Sequence, residues 1–528
     1  MIYVIGSGPA AIAAAHALLE RQLPVTMLDV GEELEPERQR LLDELYASPA
    51  DRWRPEALAK LREGIRADAG GVPEKLAYGS NYPFRDVGQA GRIEARNAEH
   101  LISGARGGLS NVWGANFMPY AARDIADWCI TPADLAPHYA AVASFVPASF
   151  GRDDLEEDFP VYGEGTGQLR PSRQAAQLMA QLNRNREALG REGMRAGFAR
   201  LAVQAKASAH NSHDCVYCGR CLYGCPYRLI YSSAHTLREL LRNPQFRYAP
   251  GHIVERVAET GSAVEIFGRR VEDGASFTLT GDRVYLACGA FATTRILLES
   301  MGAYDAAVEL RDSHYFLLPM LHSKYTRGVM QEELHTLGQV YLELFDPALS
   351  RRTIQLQFYT YNDLYATAIR AKLGLFAGLA NGLLPLLLGR LSLIMGYFHS
   401  DDSAPISIRL ERTGGESRLR LESVETKRPF ELSAGVLRKL WRNRNRIGAI
   451  PLEMAMRHTT PGKGYHYGGS FPMKKNPGRF ETDPLGRPAG FRRVHAVDAT
   501  VMPSIAATTV VFTAMANAHR IASRPGDI

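Results

Sequence analysis

The sequence predicts an α/β protein: a domain built on a parallel sheet, interrupted by a second, α+β domain on a mostly antiparallel sheet. Three observations lead there. Residues 2–29 read as strand, glycine turn, alanine-rich helix and strand; residues 283–300 again give a buried strand followed by a helix; and residues 311–450 carry separate strand-like segments instead. At 528 residues the chain can hold both domains and a large core.

Ile2 to Ile5 form the first expected strand, Gly6-Ser7-Gly8-Pro9-Ala10-Ala11 the turn, Pro9 to Arg21 the helix and Pro24 to Leu28 the second strand. This is the order of a Rossmann-like, dinucleotide-binding βαβ unit. Gly6 takes a turn that a Cβ would hinder, Gly8 lets the backbone approach a pyrophosphate, and Ala11 lets the helix pack closely on the strand. The pyrophosphate rests on free N–H groups at the helix start. Asp29 follows Gly6 by 23 residues, where a carboxylate bonds a ribose hydroxyl. A glycine-rich turn in an ordinary α/β unit is the plainer alternative, and the glycine pattern alone would not separate the two.

Composition narrows the class. Hydrophobic residues make up 45% and charged residues 22%, which excludes a disordered or fibrous chain. The net charge of +6 is small for this length; it allows attraction to anionic headgroups or phosphates and makes no case for nucleic acid. Met1 leads straight into the first strand, leaving no room for a cleavable leader, so a cytoplasmic protein is expected. Six cysteines, four of them within eleven residues, resemble a metal cluster more than a disulfide framework.

Residues 32–66 suggest exposed amphipathic helices and 78–98 a loop excursion. Arg106-Gly107-Gly108-Leu109-Ser110-Asn111 is a second glycine-rich segment, able to lie flat against a planar or anionic ligand, or simply to form a packed turn. Pro171 to Gly190 has helical spacing. Cys215, Cys218, Cys221 and Cys225, followed by Pro226, have the C-x2-C-x2-C-x3-C-P spacing of a ferredoxin iron–sulfur run. Three thiolates plus Cys225, three alone, or a remote fourth such as Cys129 all remain open, as do four reduced structural cysteines. Zinc suits the run less, since zinc sites usually pair two separated knuckles.

Strand-like alternation covers His252–Val257, Ala263–Phe267, Ser276–Leu279 and Arg283–Cys288, ending at Leu286-Ala287-Cys288-Gly289-Ala290 before a helix from Thr293 to Ser300. Gln339–Leu344, Thr353–Tyr361, Ile406–Glu411 and Arg418–Ser423 are the strands expected of the second domain. Leu373 to Gly389 is 17 residues without a formal charge, and Leu391 to Phe398 continues apolar. That is short of the roughly 20 residues a spanning helix needs, and glycines and Pro385 interrupt it. The expectation is a helical hairpin that touches a bilayer, roofs an apolar channel or lies in the core. Arg438, Lys439, Arg442, Arg444 and Arg446 form a basic run, a solvated helix face or a contact for headgroups. Near the end come His458, His466 before paired glycines, a strand Val494–Val497 leading into Asp498, and a helix Val510–Ala522. His466 is the better candidate for a positioned base. The expected division is 1–35, 95–125, 205–310 and 464–528 for the first domain, 36–94 and 126–204 as helical or loop excursions, and 311–463 for the second, with an apolar helical segment at 364–398.

Together these pieces resemble the glucose-methanol-choline (GMC) family of FAD-dependent oxidoreductases. The resemblance rests on the N-terminal motif, Gly107-Gly108-Leu109-Ser110, Leu286–Ala290 and the region from His466 onward; 311–450 matches only in outline. It implies FAD, with Gly6, Gly8 and Ala11 at its pyrophosphate, Asp29 at its ribose, Val254 near the adenine, Gly107, Gly108, Ser110 and Asn111 along the pyrophosphate and flavin, and Asp498 reaching it from the C-terminal side. His466 matches the family's active-site histidine, which accepts a hydroxyl proton as hydride passes to flavin N5. The match fails where the family usually carries a second His or Asn: that position is Ala507, followed by Thr508 and Thr509, whose hydroxyls could orient a substrate oxygen.

A cysteine-rich segment like Cys215–Cys225 is similar to one in a branch of this family, and in some of its dehydrogenases the segment holds a cluster, here 3Fe-4S or 4Fe-4S. The first reading is therefore an FAD-dependent dehydrogenase acting on a CH–OH group of an alcohol, sugar or lipid-linked substrate. Its electrons would leave through the cluster to a quinone or cytochrome, with peripheral contact on the inner face of the membrane through 373–398. A flavin oxidase with structural cysteines is the second reading. A flavoprotein with a mainly binding or assembly role is the third.

Overall fold

The computed structural model describes residues 1–64, 75–85, 92–208, 211–304, 306–364, 366, 367, 369, 383–414 and 416–524. Strand Ile2–Ile5 lies at the centre of a five-stranded parallel sheet in the order Val494–Ala496, Arg283–Leu286, Ile2–Ile5, Val25–Leu28, Phe246–Ala249. The chain's last strand thus pairs beside one of its middle strands, and the cofactor-type domain is discontinuous. Helix Pro9–Glu20 follows the first strand with Pro9 at its first position, where the missing N–H costs nothing. Its alanines are buried nearly all round, between the sheet and the last helix, Val510–Ser523. A three-stranded antiparallel meander, His252–Thr260, Ala263–Arg270 and Ser276–Gly281, flanks this domain.

The second domain is a larger, antiparallel sheet. Its central strands run Tyr315–His322, Leu391–Tyr397, Ile354–Tyr359, Val340–Leu344, and its far edge is Met194–Phe198. That edge strand comes from the 126–204 excursion, which was expected to carry only helices and loops. One face of the sheet, with Phe316, Leu318, Met320 and Ile394, packs under the amphipathic helices Arg173–Arg184 and Arg428–Arg442. Because side chains alternate along a strand, Tyr315, Leu317, Leu393, Met395 and Tyr397 project from the opposite face, into the cavity described below.

The apolar segment corrects one expectation. Leu391–Tyr397 is not helical; it is a strand between Tyr315–His322 and Ile354–Tyr359. A central strand has apolar neighbours on both faces, so its sequence shows no alternation of polarity and reads like a buried helix. Of the preceding run, 383–389 contains a single short helix, Leu384–Leu388, while 370–382 lie outside the described residues. No described helix is long and apolar enough to cross a membrane. The basic run is partly neutralised within the fold: Lys439 Nζ lies 2.5 Å from Asp346 Oδ2, and Arg442 and Arg446 face Glu192.

Candidate active site

Gly6 and Gly8 are glycines for different reasons. Gly6 has φ +97°, and a Cβ there would lie 2.6 Å from the carbonyl oxygen of Ala287 on the neighbouring strand, so the fold itself requires glycine. A Cβ on Gly8 would meet no protein atom within 4 Å. The space beside Gly8 is left for something other than protein. Across it stands the second glycine segment, with the ideal Cβ of Gly108 3.5 Å from Gly8 Cα. Gly107, at φ +88°, caps the single turn Gly108–Asn111.

These two loops are bonded to each other. Gly107 N–H donates to Ser7 Oγ at 2.9 Å, and Ser7 Oγ–H donates to Asp29. Tyr248 O–H donates to the same carboxylate at 2.8 Å. Burial raises Asp29 to about 6, against the lowering effect of these two hydroxyls. Ser110 is held by the N–H of Ser233 at 3.0 Å, and Asn111 Nδ2 donates back to Gly108 O at 2.8 Å. Asp498, at the end of the last strand, accepts from Gly289 N–H at 2.9 Å and Thr293 Oγ at 2.6 Å, locking the strand ends together.

A cavity of about 1430 Å³ runs between the two domains. Ligand pockets commonly measure roughly 300–1,000 Å³, so this one has room for a dinucleotide and a second molecule. Gly6, Gly8, Asp29, Gly108, Ser110, Val254, Asp498, Thr509 and His466 all line it. Gly107, Asn111 and Ala11 do not; they sit behind the wall and shape it. Thr508 is a correction: it is fully buried, its hydroxyl has no hydrogen-bond partner, and it does not line the cavity, because the backbone entering the last helix turns its side chain inward. Thr509 does line it, but its hydroxyl is engaged with Asn116 O at 3.1 Å.

His466 is anchored by its carbonyl, which accepts from Ser313 N–H at 2.9 Å. Its ring lies 4.9 Å from that of Tyr397, and its Nδ1 is buried without a hydrogen-bond partner. Burial lowers its pKa to about 4, so the ring is neutral at pH 7. Ala507 packs with Tyr315, Leu317 and Tyr397, so the place of a second polar residue is filled by tyrosine rings.

Several wall residues escaped the sequence reading. Tyr397 and Tyr359 come from strands of the second domain, and Asn116 from an irregular segment. His458 lines the cavity and pairs with His314 Nε2 at 3.0 Å from its own Nδ1. Nothing local marks either Tyr397 or Asn116: the first lies in a run without polar alternation, the second in an irregular segment.

The four cysteines of the run sit near the cavity, whose wall includes Leu222 and Lys75. Burial first, and then neighbouring sulfurs, raise Cys215 to about 12 and Cys218 to about 11, and push Cys225 up as well. Lys75 Nζ donates to Trp113 O at 2.7 Å; burial lowers it to about 8, against the charges of Cys221 and Cys225. The sulfurs do not converge tightly enough to grip one ion: among the described residues, the donor atoms of His16, Glu20 and His519 do so instead. Cys129, the remote candidate, shows burial and the Arg520 charge as its pKa determinants, and none of the four cysteines.

A glycine loop at the end of a parallel sheet, a second glycine loop facing it and a neutral histidine thus share one large cavity. Residues 146–307 match the family model described as GMC oxidoreductase. Pyridoxine 4-oxidase from Mesorbium loti is similar in structure over 99% of this chain and 98% of its own, with a TM-score of 0.59 and 15% identity. A formate oxidase structure gives 0.60 and 12% over 99% and 97%. A variant of formate oxidase from Aspergillus oryzae RIB40, examined for FAD modification, gives 0.61 and 12% over the same shares. No curated protein sequence matches significantly. The chain thus shares its fold with these oxidases over nearly its whole length, and residues 146–307 are similar to the GMC oxidoreductase family.

Proposed function

We propose that the protein oxidises the CH–OH group of an alcohol carried on a largely apolar body, with His466 as the base. The observation that carries this reading is one cavity lined both by the facing glycine loops and by a histidine held neutral. FAD, which fits the open space beside Gly8 and would be held by Gly8, Gly108, Ser110, Asp29 and Asp498, supplies the hydride acceptor. His466 takes the hydroxyl proton at its Nε2, since Nδ1 is buried. Tyr397, whose proton burial retains far above its ordinary range, orients the substrate oxygen in place of the residue that Ala507 cannot supply. Leu317, Leu364, Leu393 and Met395 form an apolar wall that excludes water and favours an aliphatic or lipid-borne alcohol over a free sugar.

Anaerobic mixing of the purified protein with alcohols of increasing chain length tests this. Bleaching of the flavin band that grows with chain length and is lost in His466→Gln supports it. A bound flavin that no alcohol bleaches overturns it and leaves the binding or assembly role.

A second reading concerns where the electrons go. We infer that Cys215, Cys218, Cys221 and Cys225 hold an iron–sulfur cluster passing electrons to a quinone or cytochrome. The support is the spacing together with mutual electrostatic contact among the sulfurs; a cluster takes thiolates on its separate corners, so tight convergence on one point is not needed. Stoichiometric iron and acid-labile sulfide after anaerobic purification would support the relay. Flavin without iron, with peroxide formed in air, would assign the cysteines to structure and the enzyme to the oxidases. Leu383, Leu386 and Leu387 are exposed on and beside the short helix, which supports contact of this segment with a lipid surface. Flotation with anionic vesicles would test that contact.

A further inference from the structure

On the side of the first domain away from the cavity, helices Pro9–Glu20 and Val510–Ser523 pack along their lengths. His16 and Glu20 stand one turn apart on the first, and His519 faces them from the second. None of the three lines the cavity.

We propose that His16, Glu20 and His519 bind a divalent transition ion, zinc fitting best, that ties the first helix of the chain to the last. His16 Nδ1 lies 3.2 Å from Glu20 Oε1, and His519 Nε2 lies 3.3 Å from Glu20 Oε2. The three donor atoms lie within 4.8 Å of one another. With zinc–nitrogen and zinc–oxygen bonds of about 2.0–2.2 Å, the edges of a tetrahedron measure about 3.3–3.6 Å, so donor atoms within 4.8 Å of one another need draw in by about an ångström at most to close on an ion. The carboxylate turns one oxygen toward each ring.

A further observation points to an ion and not to a plain ion pair. His16 Nδ1 and His519 Nε2 are buried, and neither meets the facing Glu20 oxygen with good hydrogen-bond geometry. The surroundings are also those of a ligating histidine. His519 Nδ1 lies 2.9 Å from His138 Nδ1 and 3.1 Å from Ser523 Oγ. His138 Nδ1 can accept the Nδ1–H of His519, fixing the tautomer that frees Nε2. The His16 ring is held by stacking on Phe145 at 4.5 Å. Glu20 is half exposed, so water reaches the remaining coordination positions. A set of two imidazoles and a carboxylate suits zinc, nickel, cobalt and copper better than calcium or magnesium.

The role this implies is structural. The first helix starts at Pro9 and the last at Val510, and both residues line the cavity. An ion clasping their other ends would brace the frame that carries the dinucleotide loop.

The test uses full-length holoenzyme stripped with a chelator and titrated with zinc, wild type beside His16→Gln and Glu20→Ala. Both positions are partly exposed, and flavin content reports that the variants fold. The cysteine run can also take zinc, so the difference in stoichiometry decides. The expected result is one fewer equivalent bound by each variant, a zinc-induced rise in Tm of a few degrees that only the wild type shows, and a cobalt difference spectrum lacking thiolate charge-transfer bands. Equal zinc stoichiometry in wild type and either variant overturns the proposal.

Discussion

Gly107 and Ser7, 100 residues apart, are joined by a hydrogen bond in which the Gly107 N–H donates to Ser7 Oγ over 2.9 Å. Ser7 donates its own O–H to Asp29, so one small hydroxyl sets the second glycine loop and the buried carboxylate in a single arrangement. Ser7→Ala leaves the buried Gly107 N–H without its partner and Asp29 Oδ2 with Tyr248 alone, at a cost of about 1–3 kcal/mol. FAD is expected to dissociate about tenfold more readily, which release monitored by flavin fluorescence would measure. Unchanged release would show that the loops hold each other without Ser7.

Gly6→Ala and Gly8→Ala should separate folding from binding. At Gly6 the new methyl meets the Ala287 carbonyl at 2.6 Å and a positive φ, so the apoprotein should melt markedly earlier or fail to accumulate. At Gly8 the methyl meets no protein atom, so the apoprotein Tm should hold while FAD affinity falls. Equal Tm losses in the two variants would contradict this division.

His466 acts as a base only while unprotonated. Burial lowers it to about 4, so the alcohol-dependent rate should be level through the neutral range and fall as pH drops toward 4. His466→Gln should lower the rate of flavin reduction about 10²–10⁴-fold with FAD still bound. A rate that declines below pH 7 with an ordinary imidazole midpoint would assign the base elsewhere.

Tyr397→Phe keeps the ring beside His466 and removes the hydroxyl. If that hydroxyl orients the substrate oxygen, flavin reduction should slow about tenfold with Tm and flavin content unchanged. An unchanged rate would leave His466 acting alone.

From Asn116 in the cavity wall a chain of side chains leads inward: Asn116 Nδ2 donates to Gln357 at 2.9 Å, Gln357 to Gln355 at 2.6 Å, and Gln355 to Glu343 at 2.8 Å. Burial raises Glu343 to about 8, and its other oxygen has no partner. The folded state therefore holds a proton there that the unfolded chain loses near 4.5, so this group's contribution to stability is full below about pH 4.5 and is lost as pH rises through 8. Glu343→Gln should remove that decline. Parallel Tm-against-pH curves for the two proteins would refute it.

The sequence by itself determined what depends on neighbours along the chain. The turn at Gly6–Gly8, the helix behind it, Asp29 at the end of the second strand, the meander from His252 and the spacing of the four cysteines follow from backbone sterics and short-range periodicity. Only the tertiary structure decided the rest. Leu391–Tyr397 is a central strand with one face in the core and the other on an apolar cavity wall, so the polarity of its sequence carries no clear period. Thr508 turned away from the cavity while Tyr397, from the other domain, filled the room beside Ala507. His16 and Glu20 carry no signal of a site until the last helix brings His519 to them, because contacts across some 500 residues are set by packing and not by spacing along the chain.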